Sequence, residues 1–139
     1  VIDASPEEVW EVLVDLPAYA EWNPWVFQAA GDMSTGGHVE VAVKLGKLDM
    51  HAQHTVLRGS HPDMFCWRDE GVSTVFVYGQ RCRFLTRLPD GRTQFHQEVL
   101  LEGPMAHLFA TFYGYTLQEG VDAETPALKQ RVEFLRDQP

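Results

Sequence analysis

Apolar residues recur at helical spacing at both ends of the chain and alternate one-in-two between them. Val9, Val12, Leu13 and Leu16 lie three and four apart behind Ser5-Pro6, and Glu8 falls three residues after Ser5. N-cap, first-turn proline and capping box together predict a helix that begins at Pro6 and stops at Pro17. Glu7, Glu8 and Glu11 place carboxylates near the positive end of its macrodipole. A second short helix or turn is expected from Ala18 to Trp22, closed by Asn23-Pro24.

From Trp25 onward the period falls to two. Val39, Val41, Val43 and Leu45 share one face of a predicted strand, and Gly46-Lys47-Leu48-Asp49 turns into a second, on which Met50, Ala52, His54 and Val56 share a face. After a turn at Ser60-His61-Pro62-Asp63, Phe65 and Trp67 face inward together. From Val75 to Leu88 the apolar face is Phe76, Tyr78, Cys82, Phe84 and Leu88, with Arg81, Arg83 and Arg87 expected on the outer face opposite Glu98. Pro89-Asp90-Gly91 makes a hairpin turn. Thr93 to Leu101 then alternates Phe95, Gln97, Val99 and Leu101 against Gln94, His96 and Glu98. Short turns between consecutive strands predict an antiparallel meander with one wet face.

Gly103-Pro104 ends the alternation and opens a long helix. Its predicted apolar stripe is Leu108, Phe109, Phe112, Tyr113, Thr116 and Leu117, extended by Val121, Leu128, Val132 and Leu135, with a kink or break expected at Gly120 and Pro126. Only this helix is long enough to cover the apolar face of such a sheet. The expected fold is therefore α+β, one domain over residues 1–139: a curved antiparallel sheet of six to seven strands around a long C-terminal helix, with two short N-terminal helices. A sheet gripping a helix leaves a gap between them, where an apolar pocket is expected.

Charge narrows the partners. The 139 residues carry a net charge of −9 with no cluster of Lys or Arg, which argues against nucleic acid and anionic membranes. No apolar run approaches the ~20 residues that span a bilayer, so no integral membrane segment is expected. Cys66 and Cys82 stand without paired spacing; they are expected to be buried thiols, which points to a reducing, cytoplasmic location. The chain opens on Val1-Ile2 with no signal peptide, so a trimmed N-terminal segment carrying targeting information is expected.

Few residues promise chemistry. His51 and His54 lie three apart on a strand and so point to opposite faces; no metal and no cofactor are expected. Alternation puts His54, Cys82 and Gln97 on the concave face, where they would either orient a ligand or be satisfied core groups. Trp22, Trp25, Trp67, Tyr78, Phe84, Phe112 and Tyr113 would form walls of a cavity or plain core. Tyr78, Tyr113 and Thr116 are the better pocket candidates, because a buried hydroxyl wants a partner. Phe109 joins them from the helix stripe, completing the pocket-lining set of Trp25, His54, Trp67, Tyr78, Cys82, Phe84, Gln97, Phe109, Phe112, Tyr113 and Thr116. No nucleophile–base–orienter set, phosphate loop or paired catalytic carboxylate is visible.

The opening Ile2-Asp3-Ala4-Ser5-Pro6-Glu7-Glu8-Val9-Trp10, the Leu16-Pro17 and Trp22-Asn23-Pro24-Trp25 runs, Phe65-Cys66-Trp67-Arg68, Gly91-Arg92-Thr93-Gln94-Phe95 and Ala127-Leu128-Lys129 resemble the SRPBCC superfamily of START-like and Bet v 1-like helix-grip proteins. Within it, the chain is most similar in pattern to the bacterial polyketide-cyclase/dehydrase-like group. The resemblance implies the helix-grip fold and a cavity for a small hydrophobic molecule, lipid-like or aromatic and polyketide-like. A carrier, sensor or sequestering protein is the expected role; a cyclase or aromatase-like enzyme is the alternative. A third reading is a protein-interaction module similar to co-chaperone or ubiquinone-linked relatives, its partner unknown. Where relatives often carry His two residues before the strand phenylalanine, this chain has Cys82 before Phe84, so a His-centred mechanism there does not transfer.

Overall fold

The computed structural model describes residues 1–139. Both halves of the expected capping box form at the first helix, α1 (Pro6–Val14): the Glu8 N–H donates to Ser5 Oγ at 3.4 Å and the Ser5 N–H donates to Glu8 Oε2 at 2.7 Å. Its buried face is Val9, Val12 and Leu13. A 3₁₀ turn at Leu16–Ala18 and the one-turn helix α2 (Tyr19–Trp22) follow.

Six strands then pair in chain order as one antiparallel, curved sheet: β1 (Val26–Gly31), β2 (His38–Leu45), β3 (Leu48–Ser60), β4 (Met64–Asp69), β5 (Tyr78–Arg87) and β6 (Thr93–Glu102). The long helix α3 (Ala106–Arg136) lies against its concave face. The core joins Val9, Leu13 and Leu16 from the N-terminal elements to Val39, Val41, Val56, Phe65 and Trp67 from the sheet and Leu128 and Val132 from α3. No helix is long and apolar enough to cross a membrane.

Five expectations need correction. The stretch before β5 is a 3₁₀ turn at Val72–Val75, so the strand begins at Tyr78. On β5 the inward face is the odd-numbered one: Trp67 pairs with Arg81 and Phe65 with Arg83, and both arginines are buried beneath the helices, whereas Tyr78, Cys82 and Phe84 face outward with Cys66. The arginines tolerate this because aromatic faces accept guanidinium. The Arg83 guanidinium lies 4.0 Å from the Trp67 ring centre and 4.9 Å from Phe65, and that of Arg81 4.6 Å from Trp25. Only Arg87 is exposed as expected, and its partner is Glu7 at 2.5 Å; Glu98 sits instead 3.1 Å from His96.

Cys66 and Cys82 are directly opposed on β4 and β5 and form a disulfide, not free thiols. These cysteines therefore do not point to a reducing compartment. Helix α3 runs unbroken through Gly120 and Pro126. Pro126 sits on its exposed side. Gly120 is there for space: a Cβ on it would lie 2.3 Å from the Trp25 indole. Finally, the inner stripe of α3 is Phe109, Leu117, Gly120, Glu124, Leu128 and Val132, while Leu108, Phe112 and Leu135 are exposed.

Candidate functional site

Between the N-terminal half of α3 and β2, β3 and β5 the sheet and helix part. An inner chamber of about 90 Å³ has walls of Trp25, Val41, Val43, Ala52, Trp67, Val99, Phe109 and Leu117, with His54 and Arg81 as its strongly polar side chains beside Asp69 and Gln80. It has room for roughly three waters and is smaller than the ~150 Å³ apolar cavity that takes up benzene in another protein. Val41, Met50, Ala52, Asp69, Gly79, Leu101 and Phe109 also line an outer cleft of about 860 Å³, so the chamber is its deep end. The cleft has a volume usual for small-molecule sites, ~300–1,000 Å³.

Its polar wall begins with strand register. His54 on β3 stands directly opposite Asp69 on β4, because a bulge between Val56 and Arg58 shifts the pairing by one residue. His54 Nε2 lies 2.7 Å from Asp69 Oδ1, and Asp69 Oδ2 accepts from the Gly79 N–H at 2.7 Å. A carboxylate fixed this way holds the imidazole hydrogen on Nε2. His54 Nδ1 then keeps its lone pair, and it is buried without a protein partner. The ring packs against Trp67, centres 5.4 Å apart.

Beneath the chamber lies a buried polar cluster that ties helix to sheet. Arg81 pairs with Glu124 of α3 and donates from Nε and an Nη to Gln97 Oε1 at 3.2 and 2.9 Å. Gln97 donates to Thr125 Oγ1 at 2.8 Å, and Asn23 donates to Glu124 at 2.7 Å. The Asn23 side-chain oxygen Oδ1 accepts from the N–H groups of Trp25 and Val26. Burial and nearby Arg83 push the Arg81 guanidinium well below its usual value, and contact with the Glu124 carboxylate acts in the opposite sense. Arg83 has no such carboxylate. Its nitrogens find no hydrogen-bond partner, and burial pushes it down to about 10.

The cleft mouth is acidic. Glu40 and Glu70 line the cleft outside the chamber, Asp69 is shared by both, and no Lys or Arg lines the cleft. Glu70 accepts from Thr55 Oγ1 at 2.5 Å and lies 3.0 Å from His38 Nδ1; the Thr55 hydrogen bond holds its carboxyl below the usual range. No group of three His, Cys, Asp or Glu side chains is arranged to hold a metal.

Of the residues singled out from sequence, Trp25, His54, Trp67 and Phe109 line the inner chamber. Gln97 lies behind it, held by Arg81 and Thr125. Tyr113 packs at a tilt against Phe109, ring centres 4.8 Å apart, and is half-buried, as is Thr116. Tyr78, Cys82 and Phe84 lie on the opposite face of the sheet, where Tyr78 donates to Glu102 and Phe84 stacks on His96. Phe112 is 71% exposed. Asp69, Arg81 and Glu124 were missed. One signal was available: Glu124 interrupts the apolar stripe Leu117, Val121, Leu128, and a core-facing carboxylate requires a cation on the facing strand.

The sequence matches the family model described as polyketide cyclase/dehydrase and lipid transport over residues 1–133. No curated protein matches it closely enough to count as a relative. Among solved structures it resembles protein NE0264 from Nitrosomonas europaea (TM-score 0.77, 11% identity, 99% of this chain and 92% of that one). It also resembles the ZhuI aromatase/cyclase from Streptomyces sp. R1128 (0.75, 15%, 95% and 88%). A third likeness is a START superfamily protein from Mycobacterium smegmatis (0.71, 19%, 96% and 93%). At these identities the likeness shows the fold.

Proposed function

The chain belongs to the polyketide cyclase/dehydrase and lipid transport family, and on that premise we propose that it binds a small hydrophobic molecule between sheet and α3, as a carrier, sensor or sequestering protein. The observation that carries this is the apolar inner chamber opening into a cleft of about 860 Å³. Apolar walls supply affinity at about 25 cal/mol per Å² before association costs, and the few polar groups set orientation. Native mass spectrometry of the purified protein tests the reading, with titration of a fluorescent apolar probe beside it. A co-purifying small molecule, or saturable probe binding displaced by apolar competitors, supports it; a folded protein that binds none of them refutes it.

A second reading, an aromatase/cyclase-like enzyme, is favoured by the His54–Asp69 pair. An imidazole held at Nε2 by a carboxylate, with Nδ1 unpaired, has the form of a general base. Enzyme-dependent deuterium uptake at the acidic carbon of a small β-diketone, abolished in His54→Leu, is the expected sign of it.

A further inference from the structure

Resting on the ligand-binding reading, we infer that the site selects a hydrophobic molecule whose head is a hydrogen-bond donor, neutral or cationic, such as an alcohol or amine, and rejects carboxylate and phosphate heads. Two independent features carry this.

The first is the orphaned nitrogen. His54 is 9% exposed, lines the inner chamber, and has Nε2 committed to Asp69. Its Nδ1 has no partner in the protein, and a buried acceptor left alone is costly. In this tautomer it accepts and cannot donate. A hydroxyl or N–H satisfies it; a carboxylate meets lone pair with lone pair.

The second is the charge along the way in. Glu40, Asp69 and Glu70 line the cleft with no Lys or Arg among its residues, its other titratable side chain being His51. The cation deeper in, Arg81, is neutralised by Glu124 and shared with Gln97. An anionic head therefore meets carboxylates from mouth to chamber, whereas an ammonium head is attracted.

Competition against bound phenylnaphthylamine tests both, using ligands of one chain length: octanol, octyl methyl ether, octylamine and octanoate. Octylamine and octanoate carry opposite unit charges on the same chain, so their difference reads the cleft. Octylamine is expected to displace the probe at a concentration roughly tenfold or more below octanoate, and the double variant Glu40→Gln, Glu70→Gln to narrow that gap. Octanol is expected to outcompete its ether, which cannot donate, by roughly fivefold, and His54→Leu to erase that advantage. Both cleft glutamates are solvent-accessible, so the double variant keeps the test open even if His54→Leu unfolds. Probe binding with octanoate competing as well as octylamine, or the ether as well as octanol, overturns the inference and leaves the binding reading intact. Failure of the probe and of every ligand to bind a folded protein overturns both.

Discussion

From Gly120 onward along α3, Gly120, Glu124, Leu128 and Val132 are all buried, whereas Leu108, Phe112 and Tyr115 nearer its N-terminus are 50%, 71% and 79% exposed. The stretch from Gly120 on is locked by an ion pair to β5, an indole laid against that glycine and two aliphatic side chains in the core. The N-terminal half rests on the sheet mainly through Phe109 and Leu117, and the chamber opens there. One helix thus serves as core at one end and as the roof of a site at the other. Close packing and a cavity cannot occupy the same length of helix, because each void forfeits contacts its lining would otherwise make.

The sharpest way to break this contrast is at Glu124. Glu124→Ala leaves Arg81 buried without its carboxylate and is expected to cost about 3–5 kcal/mol in urea unfolding. Replacing both partners, Arg81→Met with Glu124→Leu, is expected to restore most of that loss, since well-packed apolar groups can substitute for a buried pair. A double variant as unstable as Glu124→Ala would mean the cluster is needed for more than charge balance.

Next in size is Leu128→Ala, expected to cost about 2–5 kcal/mol because the site is 1% exposed and closely packed. Gly120→Ala is expected to cost about 1–3 kcal/mol despite alanine's better helix propensity, because the new methyl displaces the Trp25 ring. Thermal melts rank the two. A neutral or stabilising Gly120→Ala would show that Trp25 moves freely.

Phe112→Ala should change stability by no more than about 0.5 kcal/mol, as its ring is largely in water. A loss as large as that of Leu128→Ala would mean the two ends of α3 pack alike. The smallest effect is expected at the surface clasp between the termini. Arg136 hydrogen-bonds the Asp3 carboxyl and Lys129 that of Glu133, holding both below their usual values. The folded state then binds fewer protons than the unfolded one across the carboxylate range. Its added stability is present above that range and lost as pH falls through it. Asp3→Asn should flatten the acid side of the stability–pH curve slightly, slightly because exposed pairs are weak.

The capped first helix, the meander order, the inward faces of β2, β3, β4 and β6 and the covering helix were all legible in the residues. Each rests on a local rule: a side chain reaching its own helix end, a period of two, a turn too short for anything but a hairpin. Sequence order and periodicity therefore determined the architecture, and with it that a gap would open between sheet and helix. What they could not determine is which face of β5 turns inward. There the apolar side chains Tyr78, Cys82 and Phe84 pointed to the wrong face. Arg81 and Arg83 are inside because Trp25, Phe65 and Trp67 offer them ring faces and Glu124 offers Arg81 a carboxylate from 43 residues away. Likewise, a single bulge in β3 decides that His54 meets Asp69, and the nearness of Trp25 decides that residue 120 is glycine. A charged side chain's burial depends on partners that no local pattern contains, so the polar half of the site was left to the tertiary structure to decide.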